Sequence, residues 1–90
     1  KCYEFNCDLS EWDVSNVINM GGMFCECRNF NSDISEWDVS NVKKINGMFK
    51  LCGKFNCDLS NWNVSNKLKY NNVTFYRCDS LKNKPSWYKE

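Results

Sequence analysis

The sequence predicts a repeat solenoid of mixed α/β character, with about three coils of 25 residues, each holding short strand segments and a short helix, and a C-terminal cap. The first observation behind this is a stretch that returns. Phe5-Asn6-Cys7-Asp8-Leu9-Ser10-Glu11-Trp12-Asp13-Val14-Ser15-Asn16-Val17 recurs from Phe30 to Val42, and again from Phe55 to Asn66, at a step of 25 residues each time. Self-similarity at such a period marks stacked units, each too small to bury its apolar face alone. The second observation is a pair of periods within each copy. Leu9, Trp12 and Val14 lie in a short run of strand formers with polar residues between, whereas Val17, Met20, Met23, Phe24 and Cys27 recur at helical steps of three and four. The third is size. Ninety residues make one domain at most, and a stack of coils needs only neighbour contacts to be stable.

The single domain, residues 1–90, divides into coils at about 5–29, 30–54 and 55–80 and a cap at about 81–90. In the first coil, Ser15 and Asn16 stand where helix caps stand, and Gly21-Gly22 shortens the helix to one or two turns, partly 3₁₀. The second coil repeats the pattern with Ile34, Trp37, Val39, Val42, Ile45, Met48, Phe49 and Cys52. The third starts faithfully and degrades after Asn66, with one extra residue entering near Thr74. Leu81 opens a fourth coil that stops at Lys84-Pro85-Ser86-Trp87-Tyr88; Pro85 blunts an open edge and the aromatics fold over the end of the core. Cys2 and Phe5 match the spacing of Cys27 and Phe30, so the chain is expected to open at the tail of a preceding coil, as a piece of something longer.

The formal charge of +1, from 12 basic and 11 acidic residues, gives no footprint for nucleic acid. The late basic residues Lys67, Lys69, Arg77, Lys82, Lys84 and Lys89 read as a solvated face. No apolar run is long enough for a membrane-spanning helix, and no leader is visible.

These residues resemble the BspA-like leucine-rich-repeat surface proteins, through a repeat of the form Phe-Asn-x-Asp-Leu-Ser-x-Trp-Asp-Val-Ser-Asn-Val-x-x-Met-x-x-Met-Phe-x-x-Cys that covers nearly all of residues 2–78. Departures are Ser32 at the position of Cys7 and Cys57, Asn63 for Asp13 and Asp38, and the altered third helix. The resemblance implies a leucine-rich-repeat-like solenoid, surface display and protein interaction, and it carries no catalytic residues. Location on a cell surface or a virus particle is likewise what the resemblance implies. The wall of each coil is left open between a strand-and-helix horseshoe and something closer to a β-helix.

Stacking turns each repeated position into a ladder, because paired chain segments lie about 4.8 Å apart. Phe5, Phe30 and Phe55 are expected in the core. Trp12, Trp37 and Trp62 point inward as core or, alternatively, outward as a platform for sugars or a partner. Asp8, Asp33 and Asp58 form a carboxylate ladder, beside Asp13, Asp38 and Asn63; like charges so close are expected to raise one another's pKa. Each Asp either accepts backbone N–H groups of its own turn or shares calcium with its neighbours, and Asn63 suits the former. Cys2, Cys27, Cys52 and Cys78 are one repeated position, read as small buried hydrophobes, and Cys7 and Cys57 lie two coils apart, about 10 Å, too far for a disulfide. Cys25 and Cys27 make a C-x-C that is a weak metal signal by itself. Reduced thiols are favoured, which leans to a reducing compartment. Asn63-Val64-Ser65 and Asn72-Val73-Thr74 match the glycosylation acceptor pattern.

No His is present, no nucleophile has a nearby base, and every Asp and Ser that might suggest catalysis belongs to a repeat ladder, so no enzyme, cofactor or metal is expected. The first functional reading is a non-catalytic module for an unknown protein partner, presenting Glu11, Glu36, Asn61, Lys43, Lys44 and Lys50. The alternatives are a building block of a surface layer or virus particle, whose N-terminal end stacks on a second copy or on further coils of a longer parent, and a carbohydrate-binding module with outward Trp residues.

Overall fold

A computed structural model describes residues 8–64 and 71–88. Cys2, Phe5, Cys7 and Asn66 lie outside those residues. The described chain is a succession of tight turns placed alike in each repeat. One set falls at 10–11, 35–36 and 60–61, a second at 15–16 and 40–41, a long third at 21–26, 46–51 and 72–77, and a fourth at 28–29, 53–54 and 79–80. The turns are closed by N–H groups bonding the carbonyl three residues back: Trp12 to Leu9 at 3.0 Å, Trp37 to Ile34 at 3.1 Å and Trp62 to Leu59 at 3.0 Å in the first set.

Among the described residues, the helix expected from Val17 to Cys27 and its second-repeat counterpart are not formed, and neither are regular strands. Among the described residues there is one isolated parallel bridge, Asn19 with Lys44. The reason is backbone conformation. Gly22 and Glu26 hold φ of 67° and 63°, Gly47 and Leu51 hold 67° and 64°, and Val73 and Arg77 hold 51° and 57°. A left-handed residue every fourth position prevents the i to i−4 bonding of an α-helix. It splits the N–H groups into two directions. Met23, Cys25 and Cys27 donate within their own repeat, to Met20, Gly22 and Phe24. Met20, Gly22, Phe24 and Glu26 donate to Lys44, Asn46, Met48 and Lys50 of the next repeat at 2.7–3.0 Å. The same happens one repeat on, where Gly47, Phe49 and Leu51 donate to Asn72, Thr74 and Tyr76. The helical spacing of apolar residues therefore reflects a flattened row of turns with one buried side.

The last pairings also relocate the irregularity of the third repeat. Gly22 bonds Asn46, 24 residues on, but Gly47 bonds Asn72, 25 residues on. The extra residue thus enters before Asn72, not near Thr74.

The core is built from columns. Phe24, Phe49 and Phe75 stack with centroids 5.8 and 5.6 Å apart, and Phe30 stacks on Phe55 at 5.8 Å. The columns touch through Phe24–Phe30 at 4.0 Å and Phe49–Phe55 at 4.3 Å. Trp37 and Trp62 are buried, and each indole Nε1 donates to a carbonyl 28 residues earlier: Trp37 to Leu9 at 3.0 Å, Trp62 to Ile34 at 2.9 Å. Trp87 continues the row, donating to Leu59 at 2.9 Å and stacking on Trp62 at 6.0 Å. A buried indole needs such a partner, and the turn carbonyl supplies it with its second lone pair. Trp12, the first of the row, is 54% exposed. Thr74 takes the place of Met23 and Met48, wholly buried, and its hydroxyl donates to Ile45 O at 3.0 Å.

The left-handed turns make a stability prediction. Glycine takes positive φ without cost, whereas an L-residue there loses roughly 1–2 kcal/mol. Gly47→Val should lower Tm by about 4–16 °C, and Val73→Asn, replacing a half-exposed β-branched residue by one that tolerates this conformation, should raise it. Thermal melts by circular dichroism read both, and a Gly47→Val chain as stable as the parent would contradict the turn geometry.

Candidate interaction surface

The polar surface is built by short-range hydrogen bonds. Each Asp of the first row holds the turn that follows it: Asp8 Oδ1 accepts from Ser10 N at 3.0 Å, Asp33 from Ser35 N at 3.1 Å and Asp58 from Ser60 N at 2.9 Å. The second row does the same, Asp13 accepting from Ser15 N and Oγ at 3.1 and 2.6 Å and Asp38 from Ser40 N and Oγ at 3.1 and 2.7 Å. These are Asx turns. They correct the expectation that like charges raise these acids. The serine N–H and O–H groups hold all five carboxylates below the ordinary range, and the repulsion of Asp33 on Asp8 and of Asp13 on Asp38 is a smaller, opposing effect. Amides tie one repeat to the next: Asn56 N donates to Asn31 Oδ1 at 2.9 Å, and Asn41 Nδ2 to Ser15 O at 2.8 Å.

The thiols divide by burial. Cys27, Cys52 and Cys78 are buried, and the Sγ of Cys52 and of Cys78 donate to Phe24 O and Phe49 O of the preceding repeat at 2.8 Å. Burial pushes the Cys52 thiol up to about 12 and the Cys78 thiol to about 11. Cys25 and Cys57 are half-buried free thiols. Burial raises Cys57 as well, and its sulfur lies 3.7 Å from Asp33 Oδ1. Ser32, which stands at the equivalent position, accepts from Leu9 N at 3.0 Å.

Three concave features of the described residues are of comparable volume. Two shallow hollows of about 340 and 310 Å³ share Asn56, Cys57 and Asp58, one reaching Asp33 and the other Lys82. A cleft of about 330 Å³ is lined by Glu26 and Arg28 from the first repeat, Leu51 and Gly53 from the second, and Arg77 and Asp79 from the third. Opposite charges therefore frame an apolar and a bare position. Gly53 has no positive φ, and a Cβ there would meet nothing within 4 Å. Neither backbone nor packing requires glycine at this point; its effect is to leave the cleft open between Arg28 and Asp79. No sequence signal singled out this cleft, because its six residues come from two columns whose chemistry changes at every repeat.

The residues expected to form a partner surface are placed as follows. Glu11, Glu36 and Asn61 are exposed in one row, at the second residue of the first turn of each repeat. Lys43 and Lys44 are exposed beside the bridge to Asn19. Lys50 is half-buried, its Nζ 5.9 Å above the Tyr76 ring. These positions lie at the first turn, between the second and third turns, and in the third turn, and the three cavities above are lined by other residues.

The family described as "Mycoplasma protein of unknown function, DUF285" matches residues 1–88. No curated protein and no solved structure matches the chain.

Two predictions follow from the hydrogen-bonded acids and the buried thiols. A carboxyl held below its unfolded value of 3.8 contributes stability that is complete above that pH and is lost as pH falls through 3.8 to the folded value. Melts of the parent chain should therefore lose stability below about pH 4, and a chain with Asp13→Asn, Asp33→Asn, Asp38→Asn and Asp58→Asn, which keeps the acceptors, should lose less. An acid limb unchanged by the four substitutions would sink this account. In native protein at neutral pH, iodoacetamide should modify Cys25 well before Cys52 and Cys78, as read by intact mass and peptide mapping.

Proposed function

The chain belongs to the DUF285 family, that of the BspA-like repeat proteins, and from this premise we propose that it is a non-catalytic, leucine-rich-repeat-like solenoid module for protein–protein interaction, displayed on a surface. The observation that carries the reading is the cleft between Arg28, Gly53 and Asp79. It spans three repeats, and its charged walls and Leu51 floor suit a protein segment that brings charges of both signs and an aliphatic stem. The other chemistry-bearing groups support a structural rather than a catalytic role. The acids are engaged in their own turns and held ionised, and the buried thiols are held protonated. The carbohydrate alternative needs a row of outward tryptophans; Trp12 is exposed, whereas the indoles of Trp37 and Trp62 are buried and bonded.

Gly53→Trp tests the reading, because a Cβ at this position meets nothing within 4 Å and the larger side chain is added at the cleft. The wild-type chain, immobilised and exposed to surface extracts, should retain a partner saturably. Gly53→Trp and Arg77→Glu should each reduce that retention at least about tenfold, a loss of about 1.4 kcal/mol, with unchanged melting curves. Equal retention by both variants would place the contact elsewhere.

A further inference from the structure

The cleft that spans the three repeats carries its charges in a checkerboard. Glu26, Leu51 and Arg77 form one column and Arg28, Gly53 and Asp79 the next. Backbone bonds fix both columns to the stack: Glu26 N donates to Lys50 O, Leu51 N to Tyr76 O, Lys54 N to Arg28 O and Ser80 N to Gly53 O, at 2.7–3.2 Å. The order is acidic, apolar, basic down the first column and basic, bare, acidic down the second, and the outer rows lie two repeats apart, about 10 Å. The choice of residues runs against the backbone. Glu26, Leu51 and Arg77 hold φ of 63°, 64° and 57°, where glycine is unstrained and a side chain is not. Gly53 has no positive φ and open space at its Cβ position. Side chains stand where the fold favours glycine, and glycine stands where the fold allows a side chain. Such an inversion shapes a surface rather than stabilising a turn.

We propose that this face binds the same face of a second copy of the chain, as a closed two-fold dimer; the inference rests on the reading of the cleft as a protein-binding surface and names its partner. A checkerboard of charge is its own complement. A two-fold axis that lies in the surface and runs along the stack, between the columns, exchanges the columns and keeps the rows. Glu26 then faces the second copy's Arg28, Arg77 faces the second copy's Asp79, and each contact occurs twice. Leu51 faces the second copy's Gly53, so the side chain of one copy enters the space that the bare position of the other leaves open. An axis across the stack also pairs opposite charges, Glu26 with Arg77 and Arg28 with Asp79, but it sets Leu51 on Leu51 and Gly53 on Gly53. The middle row therefore selects the first arrangement. An unrelated protein has to bring both signs of charge in this order, whereas a second copy brings them by symmetry. Six residues a side are fewer than the roughly 20–30 of a standard interface, so the dimer is weak, and its surface ion pairs loosen with salt.

Sedimentation velocity tests it on the full chain, under reducing conditions, over a wide concentration range and at low and high salt. The weight-average mass of the parent should rise toward that of two chains and stop there, and should rise less at high salt. Arg77→Glu sets an acid against the second copy's Asp79, and Gly53→Trp closes the space for Leu51. Each should weaken association at least about tenfold, with melting curves confirming that both variants fold. Adding Asp79→Arg to Arg77→Glu should restore association to within about twofold of the parent, because the pairs across the axis are again opposite in sign. An axis across the stack gives no such rescue, since it sets the new acid against Glu26 and the new base against Arg28. A parent that stays monomeric throughout overturns the proposal. So does a mass that climbs past two chains, association that neither single variant weakens, or a double variant no better than Arg77→Glu. Failure here is distinct from failure of the cleft reading. A monomeric parent that retains a partner from surface extracts, and loses it on Gly53→Trp, keeps the cleft as a binding surface and removes only the second copy as its partner.

Discussion

Every second backbone N–H from Met20 to Glu26 leaves its own repeat and bonds the next, and the rest of the structure depends on that alternation. It exists because Gly22 and Glu26, and their counterparts, take positive φ. A helix would turn all of these donors along its own axis and leave adjacent repeats joined by side chains alone. The left-handed residues instead flatten the segment, bring one repeat against the next at hydrogen-bonding distance, and so set the spacing at which Phe24, Phe49 and Phe75 stack at 5.8 and 5.6 Å. Backbone spacing and ring spacing agree, which is why aromatic columns form in this core beside the buried aliphatics Leu9, Ile34, Val39, Ile45 and Leu59.

Polar groups follow the same rule of being satisfied close to home. Asp13, Asp33 and Asp38 bond both the N–H and the hydroxyl of the serine two residues on, and the charge they share along the row is answered locally. The turn carbonyls of Leu9, Ile34 and Leu59 each accept a backbone N–H and an indole N–H, so one atom closes a turn and fastens a repeat. Cysteine Sγ atoms of Cys52 and Cys78 do a weaker version of this to Phe24 and Phe49. With its acids and buried thiols committed in this way, the surface where repeats differ from one another is the cleft: Glu26, Leu51 and Arg77 in one column, Arg28, Gly53 and Asp79 in the next.

The third repeat shows how the pattern absorbs change. An additional residue enters before Asn72, yet Phe75 remains in its column and Cys78 in its own, because the forward hydrogen bonds from Gly47, Phe49 and Leu51 accept the shifted register. Thr74 replaces a buried methionine by bonding its hydroxyl to Ile45. Trp87 reproduces the indole bond although the segment around it, from Leu81, shares almost no sequence with the earlier repeats. The contacts are kept and the residues that make them are exchanged.

The repeat period, the identity of the stacked positions and the Asx turns could be read from the chain, because each rests on residues close in sequence or recurring at a fixed step: Phe30 with Phe55, Asp33 with Ser35, Trp37 with Trp62. The period of three and four from Val17 to Cys27 was misleading, since a row of turns with one buried side spaces its apolar residues as a helix does. Which of the two is formed depends on the sign of φ at Gly22 and Glu26, and glutamate carries no signal of a left-handed turn. The direction of the inter-repeat bonds, the buried side of Trp37 and Trp62 against the exposed Trp12, and the cleft over Gly53 were decided only in three dimensions. They depend on what the neighbouring repeat places at 4–6 Å, and a linear reading of one repeat contains no information about the next one's orientation.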